Sequence, residues 1–335
     1  MLKNILNLIP GLLLTGLIAV TATWLGGWWP IIGAAVFGIF IGIIVNNLIK
    51  IPVVTQRGIN FSAKIILQLA IILLGSTLSL TQIVETGAAS FLVMIFTIAT
   101  AFIVAFGVGK LLGIDKNIKQ LIAVGTAVCG GSAIAAIAPI IKAKEHEIAY
   151  SISTVFLCNV LAVLIFPPLG HWLGLSDYGF GILAGTAIND TSSVVAAGYT
   201  FSNTAGDFAT IVKLTRTTML IPISLIFMIL VLIANKKNHT TSAVKYNIIK
   251  ILPWFILGFI GLAIINSTGI INQTVLLHTK TTAKFMIVMA LSAVGLKTDF
   301  KKMLQSGFKP LLVGALTWLS VSITSLAVQY FTGQL

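Results

Sequence analysis

Long apolar runs, separated by short polar stretches, make up nearly the whole chain of 335 residues. A helix that crosses the hydrocarbon core of a bilayer needs about 20 apolar residues. The pattern therefore predicts an all-α polytopic membrane protein, a single transmembrane domain over 1–335 with about eleven hydrophobic segments, which we number in chain order. They cover residues 5–28, 30–49, 64–84, 88–112, 121–141, 149–173, 178–200, 208–234, 246–266, 281–298 and 308–331.

The composition agrees with this prediction. The chain is 57% hydrophobic and 9% charged, whereas soluble domains are about 25% charged, so a water-soluble fold is excluded. Lys and Arg number 21 against 8 Asp and Glu, and an excess of basic residues in cytoplasmic loops explains this imbalance without a nucleic-acid partner. We expect a multi-pass protein of the bacterial cell membrane with a cytoplasmic N-terminus, in which 1–29 is a retained extra span.

The basic residues between segments predict which loops are cytoplasmic. Four loops carry them: Lys50, Arg57 and Lys64; Lys110, Lys116 and Lys119; Lys236, Lys237, Lys245 and Lys250; and Lys297, Lys301, Lys302 and Lys309. The loops with Glu85, and with His171 and Asp177, should face outward.

Two internal matches indicate repeated units. A long offset aligns segments two to four with nine to eleven without gaps, and it pairs Gly38 with Gly258, Asn46 with Asn266, Lys64 with Lys284, and Gly75 with Gly295. A short offset aligns 122–132 with 182–192 and Ala149 with Ala209. The first unit is then 31–165 and the second, circularly permuted, is 178–335. Segments two and nine run in opposite directions, which is the inverted topology of many transporters.

Segments five and seven fit this inversion if both are re-entrant. As hairpins entering from opposite sides, they also place the basic loop around Lys142 and Lys144 in the cytoplasm. Their length of about 21 residues equally suits complete crossings, so the alternative is a pair of discontinuous helices that cross each other.

Both segments carry polar residues at mid-depth, where irregular backbone is tolerated only inside protein or beside a cavity. We predict a substrate-binding site from the two stretches. Segment five supplies Thr126, Cys129, Gly130, Gly131 and Ser132, and segment seven supplies Asn189, Asp190, Thr191 and Ser192. Close helix packing through small residues is the alternative, but packing does not require a carboxylate.

Segment eight adds two cations, Lys213 and Arg216, which lie on one helical face. Guanidinium groups suit oxyanions such as carboxylate, sulfate or phosphate. An internal ion pair of Asp190 with either cation is the competing interpretation, yet it leaves one cation for an anionic substrate. Asp190 is then a candidate carrier of a coupling ion, H⁺ or Na⁺, because a buried carboxylate titrates with its surroundings.

Three of these stretches resemble a known family. Residues 124–136, 187–198 and 212–222, and most specifically the Asn-Asp-Thr-Ser-Ser motif followed by Lys213 and Arg216, are similar to the bacterial sulfate exporter family of membrane proteins. The resemblance covers nearly the whole chain. That family is grouped with bile-acid sodium symporters and cation/proton antiporters, which implies discontinuous helices in one bundle that moves against a panel of helices.

These observations predict a secondary active transporter of a small anion, sulfate or a related oxyanion or organic anion, that works by alternating access. The alternatives are an anion channel and a sodium/proton exchanger that uses Asp190. We expect no enzyme activity and no cofactor, since the sequence has no nucleotide-binding loop and no metal-ligand spacing. The expected partners are the anionic substrate and the lipid bilayer, and a homodimer is left open.

Overall fold

A computed structural model describes residues 6–29, 33–49, 51–237, 254–298 and 307–335 of this chain. Several basic positions that the sequence assigns to cytoplasmic loops lie outside these residues, as do parts of segments one, two and nine. The positions are Lys50, Lys245, Lys250, Lys301 and Lys302.

Every regular element in the described ranges is helical, and the helices follow the predicted segments, so we number them alike. They are α1 (Ile9–Trp28), α2 (Gly33–Leu48), α3 (Val53–Gly75), α4 (Leu80–Leu111), α5a (Lys116–Ala127), α5b (Gly131–Ile137), α6 (Glu145–Trp172), α7a (Asp177–Ala187), α7b (Thr191–Phe201), α8a (Asn203–Thr218), α8b (Leu220–Lys237), α9 (Trp254–Ser267), α10 (Gln273–Leu296) and α11 (Phe308–Thr332). Six helical stretches among the described residues are long and apolar enough to cross a membrane. A multi-pass helical membrane protein is thereby confirmed, while the count of eleven segments stays a prediction.

Segment five reverses its direction instead of running from one end of the molecule to the other. Asn117, in the first turn of α5a, donates from Nδ2 to Oε2 of Glu147 in the first turn of α6, at 3.0 Å. The start and the finish of α5a–α5b therefore lie at the same end of the molecule, which we call the Glu147 end.

Segment seven does the same at the opposite end. The Ser202 hydroxyl, just after α7b, donates to Oδ1 of Asp177 at the start of α7a, at 2.7 Å. The ring of His171, near the end of α6, stacks on Phe201 with centroids 4.1 Å apart. Because α6 runs from Glu147 to His171, the two hairpins enter from opposite ends. We call this second end the Asp207 end, since Asp207 follows in α8a.

The helices form two bundles. The panel bundle comprises α1, α2, α3, α9 and α10, in which α2 packs on α10 and α3 packs on α9. The hairpin bundle comprises α4 to α8 and α11, in which α4 packs on α11 and both hairpins pack on these two helices.

Two hydrogen bonds across the panel bundle are related by the long offset, the one that aligns Asn46 with Asn266. Asn46 of α2 donates from Nδ2 to the carbonyl oxygen of Thr298 after α10, at 2.9 Å. Asn266 of α9 donates in the same way to the carbonyl oxygen of Leu78 after α3, at 3.1 Å. The same offset aligns Leu78 with Thr298, so the chain makes the same contact twice with exchanged partners.

A close approach of backbones is repeated in the same way. A Cβ atom added to Gly75 would lie 2.2 Å from the carbonyl oxygen of Phe259, and one added to Gly295 would lie 2.3 Å from that of Ile39. The long offset again aligns the members of these two pairs. Only glycine permits such contact between helices, which explains why the apolar segments carry glycine at these points.

We expect Gly75→Ala and Gly295→Ala each to destabilise the protein by about 1–3 kcal/mol, because the added methyl group must push two helices apart. Thermal unfolding of detergent-solubilised protein would measure this effect. Gly107→Ala is the matched control, since a Cβ there meets nothing within 4 Å and alanine favours a helix. Equal melting temperatures for all three variants would contradict the close packing.

An apolar layer joins the two bundles in the half of the interface nearer the Asp207 end. Its buried members come from α2, α3 and α10 on one side and α6 and α7b on the other: Ala35, Val36, Ile39, Ile43, Ala70, Leu74, Val160, Val163, Val195, Ala196, Ala283, Ile287 and Leu291. In this half the bundles are in direct contact.

Candidate functional site

The breaks in the two hairpins meet inside the molecule. Segment five is interrupted between Ala127 and Gly131, and segment seven between Ala187 and Thr191. Gly130 has φ of 64°, a conformation that favours glycine. A Cβ on Gly130 would lie 3.6 Å from the backbone nitrogen of Asp190, so the two breaks are in van der Waals contact.

Lys213 joins the two breaks. Its side chain is fully buried, and Nζ donates to the carbonyl oxygen of Val128 at 2.7 Å and to that of Ile188 at 2.9 Å. These carbonyls follow the last turns of α5a and α7a, where helices leave acceptors unsatisfied and carry the negative end of their dipoles. One ammonium group therefore holds the C-terminal ends of both half-helices.

Arg216 secures the first of these ends from the same face of α8a. It is fully buried, and it donates from Nε to the carbonyl oxygen of Ala127 at 2.8 Å and from Nη2 to that of Thr126 at 2.7 Å. Nη1 is buried with no hydrogen-bond partner among the described residues. The guanidinium thus donates to backbone carbonyl oxygens from Nε and Nη2, while Nη1 on its other edge has no partner in the described structure.

Asp190 caps the second half-helix of segment seven. Its Oδ2 accepts from the backbone N–H of Ser192 at 3.1 Å and of Ser193 at 3.4 Å, and from the hydroxyl of Ser192. A carboxylate at a helix N-terminus is favoured by the dipole. Among the described residues, the only ion pair within 4 Å joins Lys280 and Asp207, so the hypothesised contact of Asp190 with Lys213 or Arg216 is not formed.

Asn159 of α6 supports the second break from the side. Its Oδ1 accepts the backbone N–H of Asn189 at 3.0 Å and that of Asp190 at 3.4 Å. The Asn189 side chain is fully buried, and neither of its polar atoms has a partner in the described part of the chain. Most buried polar side-chain atoms in folded proteins have a partner, so Asn189 is an exception that lies directly at the second break.

A cavity of about 300 Å³ opens beside the point where the two breaks meet, between the two bundles. Its walls combine the breaks, the first half of α6, and the panel helices α3 and α10. The lining residues are Ala63, Leu67, Gly131, Ser132, Ile152, Val155, Phe156, Asn159, Asp190, Ser192, Val294 and Lys297. On each of α3, α6 and α10 these residues lie nearer the Glu147 end than the apolar-layer residues of the same helix do. Ser132 and Lys297 are exposed at the rim. The cavity therefore opens on the side opposite the apolar layer.

Comparison with known proteins places this architecture in a family. The family model described as "Conserved hypothetical protein 698" matches residues 10–314. A "UPF0324 membrane protein" of Clostridium tetani is 46% identical, with 97% of each chain covered. A protein of the same description from Streptococcus agalactiae serotype V is 44% identical over 97% of this chain and 98% of its own, and one from Streptococcus pyogenes serotype M6 is 46% identical over 98% of each.

The chain belongs to this family of membrane proteins. The names of these relatives state a membrane location and no substrate. Membership therefore supports the multi-pass fold, while the resemblance to sulfate exporters stays a prediction.

For this family member, the structure separates the predicted site residues into two groups. Gly131, Ser132, Asp190 and Ser192 line the cavity. The others do not: Thr126, Cys129 and Asn189 are buried, Gly130 forms the turn, Thr191 begins α7b, and Lys213 and Arg216 lie behind the breaks. Lys213 and Arg216 thus hold the two breaks in place. Of the donor atoms on these two side chains, Arg216 Nη1 is the one without a partner within the described structure.

Besides the apolar lining residues, two polar residues of the cavity are not among the predicted site residues, Asn159 and Lys297. The pattern around Asn159 favours helix packing, because a lone amide in an apolar segment often bonds across helices. Lys297 has the context of a loop residue, since it lies at the very end of segment ten and belongs to the basic group that continues with Lys301 and Lys302. No pattern along the chain marks it, because only the packing of α10 on α3 brings it to the cavity.

Proposed function

We propose that this protein is a secondary active transporter of a small anion, sulfate or a related oxyanion or organic anion, that works by alternating access. The observation that carries the proposal is a cavity with polar and charged residues where the breaks of two re-entrant segments meet, and this cavity opens toward the end opposite the apolar layer. Transporters with inverted repeats bind their substrates near the bilayer midplane, at sites formed by discontinuous helices.

The repeated contacts support the moving parts of this mechanism. The exchanged pairs Asn46–Thr298 and Asn266–Leu78 favour two inverted units, and the opposed hairpins fit the same inversion as re-entrant elements. A chain with inverted units can form two conformations in which the units exchange their roles at the two sides of the membrane. Rocking of the hairpin bundle against the panel bundle would then close one half of the interface and open the other.

The charges around the cavity favour an anion. Lys213, Arg216 and Lys297 outnumber the single carboxylate of Asp190, and Arg216 keeps one donor atom unsatisfied. Lys297 is the cation that a molecule in the cavity reaches directly. An anion and the Asp190 carboxylate repel each other in a confined space of low dielectric constant. Binding of H⁺ or Na⁺ to Asp190 removes this repulsion and would couple anion transport to a cation gradient.

We assign the Glu147 end to the cytoplasm. Lysines cluster there, with Lys116 and Lys119 at the start of α5a, Lys142 and Lys144 before α6, and Lys297 after α10. Basic residues concentrate on the cytoplasmic side of bacterial membrane proteins. The structure then represents the inward-facing conformation, with the N-terminus in the cytoplasm.

Purified protein in liposomes tests the proposal with radiolabelled sulfate as the probe. We expect saturable uptake that shows counterflow and responds to a proton or sodium gradient. Lys297→Gln should raise the apparent KM about 10-fold or more, because a charge-assisted contact to the substrate is lost. Lys297→Arg keeps the positive charge, so its apparent KM should lie between those of the parent and Lys297→Gln. Lys309→Gln, an exposed lysine at the same end, is the control and should change nothing.

Two results would contradict this proposal. Large unitary currents in a planar bilayer would indicate an anion channel. A sodium-dependent proton flux whose rate does not change when sulfate or any other anion of a panel is added would indicate the second candidate, a sodium/proton exchanger. That candidate has one specific observation in its favour, since Asp190, Asn159, Ser132 and Ser192 give the cavity the oxygen ligands that hard cations prefer.

A further inference from the structure

The apolar layer that closes the bundles is bordered at the Asp207 end by a polar contact between them. Lys280 of α10 donates from Nζ to Oδ2 of Asp207 of α8a, at 3.0 Å. The hydroxyl of Tyr199, at the end of α7b, donates to the other carboxylate oxygen. Asp207 is largely buried, and its ion pair links the hairpin bundle to the panel bundle.

A second lysine of α10 strengthens the same contact. Lys284, one turn further on, donates from Nζ to Oδ1 of Asn203, and its ammonium lies 5.7 Å from the centroid of the Tyr199 ring. Both lysines therefore hold panel helix α10 against the ends of α7b and α8a. The contacts of Lys280 and Lys284 all cross between the bundles, whereas the bond from Tyr199 to Asp207 lies within the hairpin bundle and orients the carboxylate.

The two offsets locate the counterparts of these residues at the Glu147 end. Asp207 corresponds to Glu147 at the short offset, while Lys280 and Lys284 correspond to Asn60 and Lys64 at the long offset. At the counterpart of Lys280 the chain therefore has Asn60, and the lysine of this end, Lys64, stands at the counterpart of Lys284, one turn further along the panel helix. The Glu147 end thus has a carboxylate on the hairpin bundle and a lysine on the panel bundle within one turn of the position that the offsets pair with it.

At the Glu147 end these counterparts are apart. Glu147 accepts from Asn117 and from the backbone N–H of Lys144, both within its own bundle and both at Oε2. Lys64 lines an open groove on the panel side with Arg57 and Asn60. The cavity separates them, because its walls include Ala63, beside Lys64, and Ile152, just over one turn after Glu147.

We propose that Asp207–Lys280 and Glu147–Lys64 are two alternating gates, each formed only when the other is broken. This inference rests on the proposed function, since it assumes that the bundles rock between two conformations. In the state described here the Asp207 gate is closed. In the opposite state Glu147 of the hairpin bundle meets Lys64 of the panel bundle, and Asp207 separates from Lys280.

The energetics of such pairs suit a gate. A partly exposed ion pair contributes little net free energy, because attraction is offset by desolvation and by the entropy of ordering two side chains. Exchanging one pair for an equivalent pair at the other end then costs little overall, so both conformations stay accessible. The loss of a single pair should shift the population toward the other state.

Cysteine accessibility in cells and inside-out vesicles tests this proposal with a membrane-impermeant thiol reagent. Thr200→Cys reports opening at the Asp207 end, where Thr200 lines a small enclosed space beside Lys284, and Ile152→Cys reports opening of the main cavity. The native Cys129 and Cys158 are buried, and the parent protein gives the background. We expect Asp207→Asn and Lys280→Gln each to raise external labelling of Thr200→Cys several-fold and to lower labelling of Ile152→Cys. Glu147→Gln and Lys64→Gln should do the reverse.

The controls separate a gate from a general loss of structure. Asp177→Asn lies at the same end, but within the described ranges the side chain of Asp177 bonds Ser202 of its own bundle and nothing else, so this variant should leave both reporters unchanged. Exchange of the charges, Asp207→Lys with Lys280→Asp, should restore shielding of Thr200→Cys. Unchanged labelling in both Asp207→Asn and Lys280→Gln would overturn the gate, even if transport remains intact. If sulfate flux is absent while the reporters respond as expected, the proposed substrate fails and the gate stands.

Discussion

Replacing Arg216 by alanine is expected to reduce the amount of folded protein in the membrane and to lower its melting temperature sharply. The guanidinium is fully buried and satisfies the carbonyl oxygens of Thr126 and Ala127. A buried carbonyl left without a partner costs about 1–3 kcal/mol, so the loss of two contacts removes about 2–6 kcal/mol. Folded proteins have a total margin of only about 5–15 kcal/mol. Size-exclusion chromatography of a fluorescent fusion, with a melting curve, measures both effects.

Arg57 offers a matched control, because it is the other of the two arginines in the chain and its side chain is exposed. Arg57→Ala should fold and melt as the parent does. Arg216→Lys should fall between the parent and Arg216→Ala, since an ammonium keeps the charge but lacks the planar fork. If Arg216→Ala folds and melts normally yet binds no sulfate, Arg216 is a substrate contact and the support of the break is not its main role.

Asp190→Asn should abolish gradient-driven transport and leave the protein folded. Asparagine caps a helix as well as aspartate does, so the acceptor for Ser192 and Ser193 is retained while the charge is lost. Without a carboxylate to bind H⁺ or Na⁺, the cation gradient no longer drives the anion. We expect gradient-driven sulfate accumulation in liposomes to fall by about 100-fold, which corresponds to about 2.7 kcal/mol of lost coupling.

Counterflow provides the sharper readout for this variant. Exchange of sulfate for sulfate without a gradient should persist in Asp190→Asn, because the anion no longer meets a carboxylate that has to be neutralised. Asp115→Asn, at an exposed carboxylate that makes no side-chain cap, controls for the loss of a negative charge and should transport normally. Full gradient-driven accumulation in Asp190→Asn would exclude Asp190 as the coupling residue.

Much of the architecture is predictable from the chain because it depends on local pattern. A hydrophobic run long enough to span a bilayer must be helical, since no water is present to satisfy its backbone. The polar stretches around Gly130 and Asp190 mark the interruptions for the same reason, and the structure confirms breaks at both. The long offset aligns Asn46 with Asn266, and the structure gives these two residues matching hydrogen bonds.

The roles of individual charges were decided by tertiary structure alone. The sequence predicts that Lys213 and Arg216 bind an anionic substrate. Their spacing gives no sign of the carbonyl oxygens of α5a and α7a, which are their actual hydrogen-bond partners. Lys297 has the sequence context of an ordinary loop lysine, and it enters the cavity wall only because α10 packs beside α3. Hydropathy and spacing thus determined where the chain is helical and where it is interrupted. Which donor meets which acceptor depended on helices distant in sequence, since a hydrogen bond is set by positions in space and not by distance along the chain.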